Sequence, residues 1–236
     1  MVQGASKTDN LSVSIIIPTY QEAERIGSLV VHLMKDAYVR DVIVIDGGST
    51  DQTIEEAEKG GARVFLSQKC GRSCQMNAGA FEARGDILYF VHADSKPPVH
   101  FSRDIVEAVK NGYKAGCFRS RFDTNNKFLL ANSFFTRFPW IIFRGGGQTL
   151  FITRQLFDSL RGYKESLVLM EEYDLIRRIK KVENFKVIPR NVLVSARKYR
   201  QNGYIKLQAC YALIFVLFFL GFPQDNLIKI YQKLIA

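Results

Sequence analysis

The sequence is poor in cysteine, with four residues in 236, too few for a disulfide scaffold in a chain of this length. Cys70 and Cys74 stand four apart, Cys117 and Cys210 are isolated, and no CxxC or Cys/His zinc spacing occurs. Buried or idle thiols in a reducing, cytoplasmic compartment are expected. No secretion signal is expected here: Met1 to Ser12 is mostly small and polar, and the short apolar stretch after it runs into Pro18. An uncharged apolar run, Ala209 to Leu220, stops at Gly221-Phe222-Pro223. It falls well short of the roughly 20 residues that span a bilayer, so a buried or interfacial helix is expected. Repeats, low-complexity tracts and linkers are absent. So is a GxGxxG after the first apolar strand, which removes the dinucleotide-binding fingerprint.

What remains is the mixture of a globular protein with a core: 47% hydrophobic and 24% charged residues. That excludes a disordered tail, a collagen-like fibre and a coiled coil. Lysine and arginine number 33 against 23 acids, a net charge of +10, which makes polyanions plausible partners: nucleotides, nucleic acid or anionic lipid. No recognised nucleic-acid motif occurs, so nucleic acid is not the expected partner. The length suits one sizeable domain, or a domain with an appendage.

The first half alternates strand and helix signals. Val13 to Ile17, Val42 to Ile45, Arg63 to Leu66 and Ile87 to Val91 read as strands, three of them continuous apolar runs of the kind buried on both faces. Between them, Glu22 to Lys35, Asp51 to Lys59 and Cys74 to Ala83 read as helices. This order calls for an α/β fold with a mostly parallel central sheet and right-handed crossovers. In such sheets ligands bind beyond the carboxyl ends of the strands. There stand PTYQE after the first strand, DGGSTD after the second and HAD after the fourth. The second half is less regular. Gly116 to Phe122 alternates like a half-exposed strand, Phe128 to Phe143 is aromatic-rich, and Gly145-Gly146-Gly147 marks a flexible turn before Thr149 to Ile152. Met170 to Lys181 has helical spacing at Leu175, Ile176 and Ile179.

Each polar cluster has a functional and a plain reading. In DGGSTD, Asp46 puts a carboxylate at the sheet edge beside glycines that let a ligand approach, yet these residues also make an ordinary strand-to-helix turn. His92 and Asp94 can face one side and offer ligands to Mg²⁺ or Mn²⁺; the same tripeptide can be a capping aspartate beside a solvent histidine. Glu171-Glu172 at a helix start can serve as a general base or merely favour the helix dipole. Lys69 and Arg72 can hold a phosphate or form a solvated basic turn.

Taken together and in this order, SIIIPTYQE, VIVIDGGSTDQT, GRSCQMNAGA, GDILYFVHAD, GGQTLFITRQLF and MEEYDLIRRI resemble the family 2 glycosyltransferases. The closest likeness is to a small, mostly bacterial subgroup whose metal motif is HAD rather than DxD. The resemblance covers roughly Ser12 to Arg200 and implies the GT-A fold, with a glycosyltransferase domain over 1–205 and a C-terminal apolar or amphipathic helical appendage over 206–236. It implies a nucleotide-diphospho-sugar donor lined by Pro18, Thr19, Tyr20, Glu22 and Asp46, with Lys69 and Arg72 approaching the nucleotide and Gly147 and Gln148 on a sugar-side or acceptor-side loop. Asp94 takes the place of the metal-binding aspartate and His92 that of its partner, for Mg²⁺ or Mn²⁺. Glu172 stands where the family has its base, with Glu171 as rival.

The implied reaction is transfer with inversion to a hydroxyl or phosphate acceptor. One carboxylate acts as base, while metal and basic side chains take up the leaving charge. Two readings compete, a degenerate nucleotide-sugar-binding protein and a nucleotidyltransferase. From Lys186 to Gln224 there is no acid, and six basic residues precede the Phe/Leu-rich run. That make-up suits a peripheral membrane anchor and a lipid-linked acceptor; packing on the core or on a second copy in a homodimer suits it as well.

Overall fold

The computed structural model describes residues 11–69, 71–144 and 147–235. Most of the N-terminal polar stretch, Cys70 and the first two glycines of the Gly145-Gly146-Gly147 turn lie outside the described residues. Four strands open the chain: β1 (Val13–Thr19), β2 (Val39–Asp46), β3 (Arg63–Leu66) and β4 (Ile87–Phe90). They alternate with α1 (Ala23–Met34), α2 (Thr53–Lys59) and α3 (Arg72–Glu82) and pair in parallel in the spatial order β3-β2-β1-β4. The sheet is mostly parallel and flanked by helices, as the sequence implies, with element ends shifted by at most three residues and β3 unshifted.

Side chains on a strand alternate between faces, and β1 shows what this achieves. Val13, Ile15 and Ile17 pack with α1 and with α4 (Phe101–Lys110). Ile16 points the other way, into a core shared with α3, α6 (Arg154–Ser159) and α7 (Glu171–Val182). Every residue of β1 is buried, so the continuous β-branched run is the pattern of a strand covered by helices on both sides. On one of those sides α3 comes very close: a Cβ built on Gly79 would lie 2.4 Å from the Ile16 side chain. The glycine sets the spacing that lets α3 lie against β1.

The second half completes the same sheet. β6 (Ala115–Phe122), β7 (Leu150–Thr153), β8 (Phe185–Val194) and the short β5 (Ser95–Lys96) extend it to eight strands in the order β3-β2-β1-β4-β7-β6-β8-β5. β7 is antiparallel to both its neighbours, whereas β6 and β8 run parallel. The aromatic-rich stretch forms α5 (Lys127–Phe135) and a single 3₁₀ turn, Ile141–Phe143. Beyond β8 come α8 (Arg197–Asn202), α9 (Tyr204–Phe219) and α10 (Gln224–Ile235). α9 contributes Leu207 to the main core, then Cys210 and Ile214 to a small cluster with Leu227 of α10, against which Leu169 and Met170 pack. Cys74, Cys117 and Cys210 are buried and unbridged. Among the described residues no helix is long and apolar enough to cross a membrane.

Candidate functional site

Two groups of the sequence-selected residues assemble at the carboxyl end of the sheet. The first joins the turns after β1 and β2. Asp46 is fully buried, and its carboxylate accepts hydrogen bonds from the backbone N–H groups of Gly48 (2.8 Å) and Ser49 (2.7 Å) and from the Ser49 hydroxyl (2.6 Å). The two turns are then stitched together. Gln21 N–H donates to Ser49 Oγ at 2.8 Å, Glu22 N–H to Thr53 Oγ1 at 2.9 Å, and the Gln75 amide to the carbonyls of Thr19 and Ile45, both at 3.0 Å. Pro18 and Thr19 end the buried strand, and Tyr20 projects from it with 62% of its surface exposed. Glu22 pairs with Arg25 and, across the molecule, with Arg197.

The second group surrounds a cavity of about 350 Å³. Arg72, at the first turn of α3, and His92 and Asp94, just past β4, reach it from the first half of the chain. Gly147, Gln148, Glu171 and Glu172 reach it from the second. Lys69 does not: its exposed ammonium pairs with Glu165 at 2.8 Å, and it does not line the cavity. The β1–β2 turns likewise stand apart from the cavity lining.

Within the cavity the acids are paired in a definite way. Arg72 Nη1 lies 3.2 Å from Glu171 Oε1, and His92 Nε2 lies 2.6 Å from Glu172 Oε1. Burial opposes charge on His92, but the Glu172 carboxylate outweighs it and raises the imidazole's affinity for a proton. The same contact works on Glu172: burial would push its carboxyl up, and the His92 charge and hydrogen bond hold it below the ordinary range. On Glu171 burial wins, reinforced by the neighbouring Glu172 charge and only partly offset by Arg72, so its carboxyl is raised. Both glutamates sit in the first turn of α7, where the helix dipole favours negative charge. The chain enters that turn through Met170 at φ 68°, which aims the helix N-terminus at the cavity.

Asp94 forms no ion pair among the described residues, and the only hydrogen bond its carboxylate accepts there is a long one from Ser95 Oγ at 3.4 Å. No group of three His, Cys, Asp or Glu side chains among the described residues forms a metal cage. That donor set fits Mg²⁺ or Mn²⁺ held by one carboxylate together with substrate phosphates, the habit of Mg²⁺ in nucleotide sites. With Nε2 engaged by Glu172, His92 offers the cavity a positioning contact first.

Other residues reach the cavity without having been marked by the sequence. Ser120, Phe143 and Arg144 line one wall, and Tyr211, Ile214 and Tyr231 of α9 and α10 line another. A lone arginine closing the apolar stretch Phe138 to Phe143 was the available signal for the first wall. The second had none, because it exists only once α9 and α10 fold back over the loop before α7.

A model of glycosyl transferase family 2 matches residues 14–168, and the chain belongs to that family. Dolichol-phosphate mannosyltransferase of Pyrococcus furiosus is 29% identical over 109 residues, which are 43% of this chain and 31% of that protein. Undecaprenyl-phosphate 4-deoxy-4-formamido-L-arabinose transferase of Pseudomonas fluorescens is 29% identical over 128 residues, 45% of this chain and 38% of that protein. The matches thus span about a third of the relatives' own length. Among solved structures, a mannosyltransferase from Pyrobaculum calidifontis in complex with GDP-Man and Mn²⁺ superposes with a TM-score of 0.67 at 17% identity, over 95% of this chain and 70% of that one. Glucosyl-3-phosphoglycerate synthase from Mycobacterium tuberculosis, in complex with Mg²⁺ and UDP, gives 0.55 at 21% identity, over 78% of this chain and 70% of that one. These likenesses establish the fold as the GT-A glycosyltransferase type.

Proposed function

We propose that the protein is an inverting glycosyltransferase that moves a sugar from a nucleotide-diphospho-sugar to a hydroxyl or phosphate of an acceptor. The observation that carries this reading is the convergence of Arg72, the His92–Glu172 pair, Asp94 and Glu171 on one cavity at the carboxyl end of the parallel strands. The nucleotide would lie over the turns after β1 and β2, with the exposed Tyr20 ring as a face for the base and Asp46 holding the turn in shape. Asp94 would hold Mg²⁺ or Mn²⁺ together with the donor's phosphates; the ion supplies charge neutralisation for the diphosphate. Glu172 takes the proton from an acceptor hydroxyl, whose oxygen bonds to the anomeric carbon as the bond from that carbon to the diphosphate breaks. His92 fixes the Glu172 carboxylate, and Arg72 adds positive charge where the leaving group departs.

The relatives named for lipid-phosphate acceptors, and an apolar α9 buried only at Leu207, Cys210 and Ile214, support a lipid-linked acceptor and a peripheral membrane position. The test is thermal stability with UDP-, GDP-, ADP- and TDP-sugars, with and without Mn²⁺. A donor at 100 times its Kd raises stability by about 2.7 kcal/mol. Asp94→Ala should abolish the Mn²⁺-dependent part of that gain while leaving the fold intact. Release of pyrophosphate in place of nucleoside diphosphate would make the protein a nucleotidyltransferase, and donor binding without turnover a degenerate binder.

A further inference from the structure

Arg144 is the largest fully buried side chain among the described residues, 1% exposed. Its guanidinium cannot give up its charge, yet among the described residues it has no carboxylate partner. Nη2 donates to the carbonyls of Thr136 and Phe138, and Nη1 to the Cys117 sulfur at 2.8 Å. The thiol offers no counter-charge: burial pushes Cys117 up, against the pull of Arg144. Nε has no partner among the described residues. Arg154 shows how an arginine looks when its role is structural. Its Nε, Nη1 and Nη2 all donate to the carbonyls of Ala80, Ala83 and Gly85 where α3 ends.

The orphaned atom is not isolated. Of the five buried side-chain polar atoms without a partner among the described residues, three belong to side chains that line the main cavity: Arg144 Nε, Ser120 Oγ and Gln148 Oε1. One unpaired buried positive charge and two unfilled donors on one side of a cavity describe a place for an anion that the folded chain does not supply, since unpaired buried charge and unsatisfied donors are both costly. Arg72 and Asp94, which line the same cavity, are the residues assigned above to the donor.

We infer that the wall formed by Arg144, Ser120 and Gln148 binds a phosphate monoester carried by the acceptor. Calling the ligand the acceptor rests on the glycosyltransferase reading; the anion site itself does not. A monoester carries close to two negative charges near neutral pH, the sign that the unpaired Arg144 guanidinium lacks. Its oxygens accept from Arg144 Nε–H and Ser120 Oγ–H, while Gln148 Oε1 accepts from a ligand hydroxyl. The monoester comes either from a soluble phosphate ester or from a lipid phosphate.

The test is calorimetric titration of inorganic phosphate into the full chain, alone and saturated with nucleoside diphosphate and Mn²⁺. One saturable site that persists with the nucleotide bound is expected. Arg144→Gln should weaken it about tenfold or more, the worth of a charge-assisted bond, with nucleotide affinity unchanged. Because Arg144 also ties two carbonyls, that variant can lose its fold, which circular dichroism reads. Ser120→Ala removes one orphaned hydroxyl and should weaken phosphate about threefold. Glycerol 3-phosphate and farnesyl phosphate then distinguish the two sources by which binds more tightly. Absence of a saturable phosphate site, or a phosphate affinity that Ser120→Ala leaves unchanged, overturns the inference. A site that vanishes when the nucleotide is bound, or loss of nucleotide affinity in Arg144→Gln, assigns the wall to the donor and overturns it too. Phosphate binding without sugar transfer would count against the glycosyltransferase reading and leave this wall standing.

Discussion

Glu171 and Glu172 are neighbours in one helical turn, and their surroundings separate them. Glu172 is held ionised by His92 at 2.6 Å, whereas burial lifts the Glu171 carboxyl despite Arg72 at 3.2 Å. The carboxylate kept free of its proton is the one able to receive another. Glu172→Gln keeps the shape and removes the basicity, so turnover should fall at least about 10²-fold with donor affinity nearly unchanged. Steady-state rates with donor titration measure both, and a larger loss in Glu171→Gln would reverse the roles. The strand-end carboxylates were legible in the sequence because a buried run followed at once by Asp, Gly or His fixes where the side chain must stand. Their duties were not. Asp46 and Asp94 look alike on paper, yet three nearby donors saturate the first, and the second keeps only the long Ser95 bond. Arg144 escaped because its missing partner is a tertiary fact.

At the scale of elements, α7 is anchored by a charged knot rather than by its apolar stripe alone. Asp174 is 1% exposed and accepts from Arg178 Nε (2.7 Å), Lys164 (3.1 Å) and Arg177 (3.3 Å); Arg178 continues to the carbonyls of Leu160 and Gly162. Burial alone would raise the Asp174 carboxyl, but the hydrogen bonds from Arg178 and Lys164 outweigh it and hold it below the ordinary value. A lowered folded-state value means stability that is present at neutral pH and lost as pH falls through it. Asp174→Asn should therefore cost about 2–3 kcal/mol near pH 7, less than a wholly buried pair because Lys164 and Arg177 are half exposed. In urea titrations repeated at lower pH, the gap to wild type should close below about pH 4; a gap constant from pH 7 to 3 would mean packing, not charge. The first-half elements were readable from the sequence because β1, β2 and β4 are buried runs covered on both faces. β8 was not: Pro189 cannot donate to a ladder, and the β6 register jumps from Phe118↔Ile188 to Arg119↔Asn191. That bulge interrupts the alternation on which a sequence reading depends.

For the whole molecule, the notable surface is apolar and lies around the cavity. Trp140, Ile142, Val216, Leu220 and Phe222 are exposed, and Asn132 of α5 bonds Gln208 of α9 at 3.1 Å, joining the two segments. Both come from stretches without an acid, 124–157 and 186–224. An apolar face free of negative charge and accompanied by lysine and arginine suits an anionic bilayer surface. The full chain should float with phosphatidylglycerol vesicles at low salt and less so at high salt. Combined Trp140→Asp and Leu220→Asp should abolish flotation. Sedimentation as a dimer with no flotation would give this face to a second copy instead.

The join between β6 and β7 matters for how such a molecule moves. β7 meets β4 at four paired positions but meets β6 only at Ala115↔Ile152 and Gly116↔Phe151. Beyond Gly116 the strands part, and Ser120 on one side and Gln148 on the other look into the space between them. The cavity is thus the open end of a seam, and a seam with so few rungs is the compliant line of an otherwise stiff sheet. Flexing along it changes the distance between the walls without disturbing β1 or β2. Hydrogen exchange should show this as faster opening at Gly116 and Ile152 than at Ile15 and Val44, with a ligand spanning both walls slowing the first pair alone.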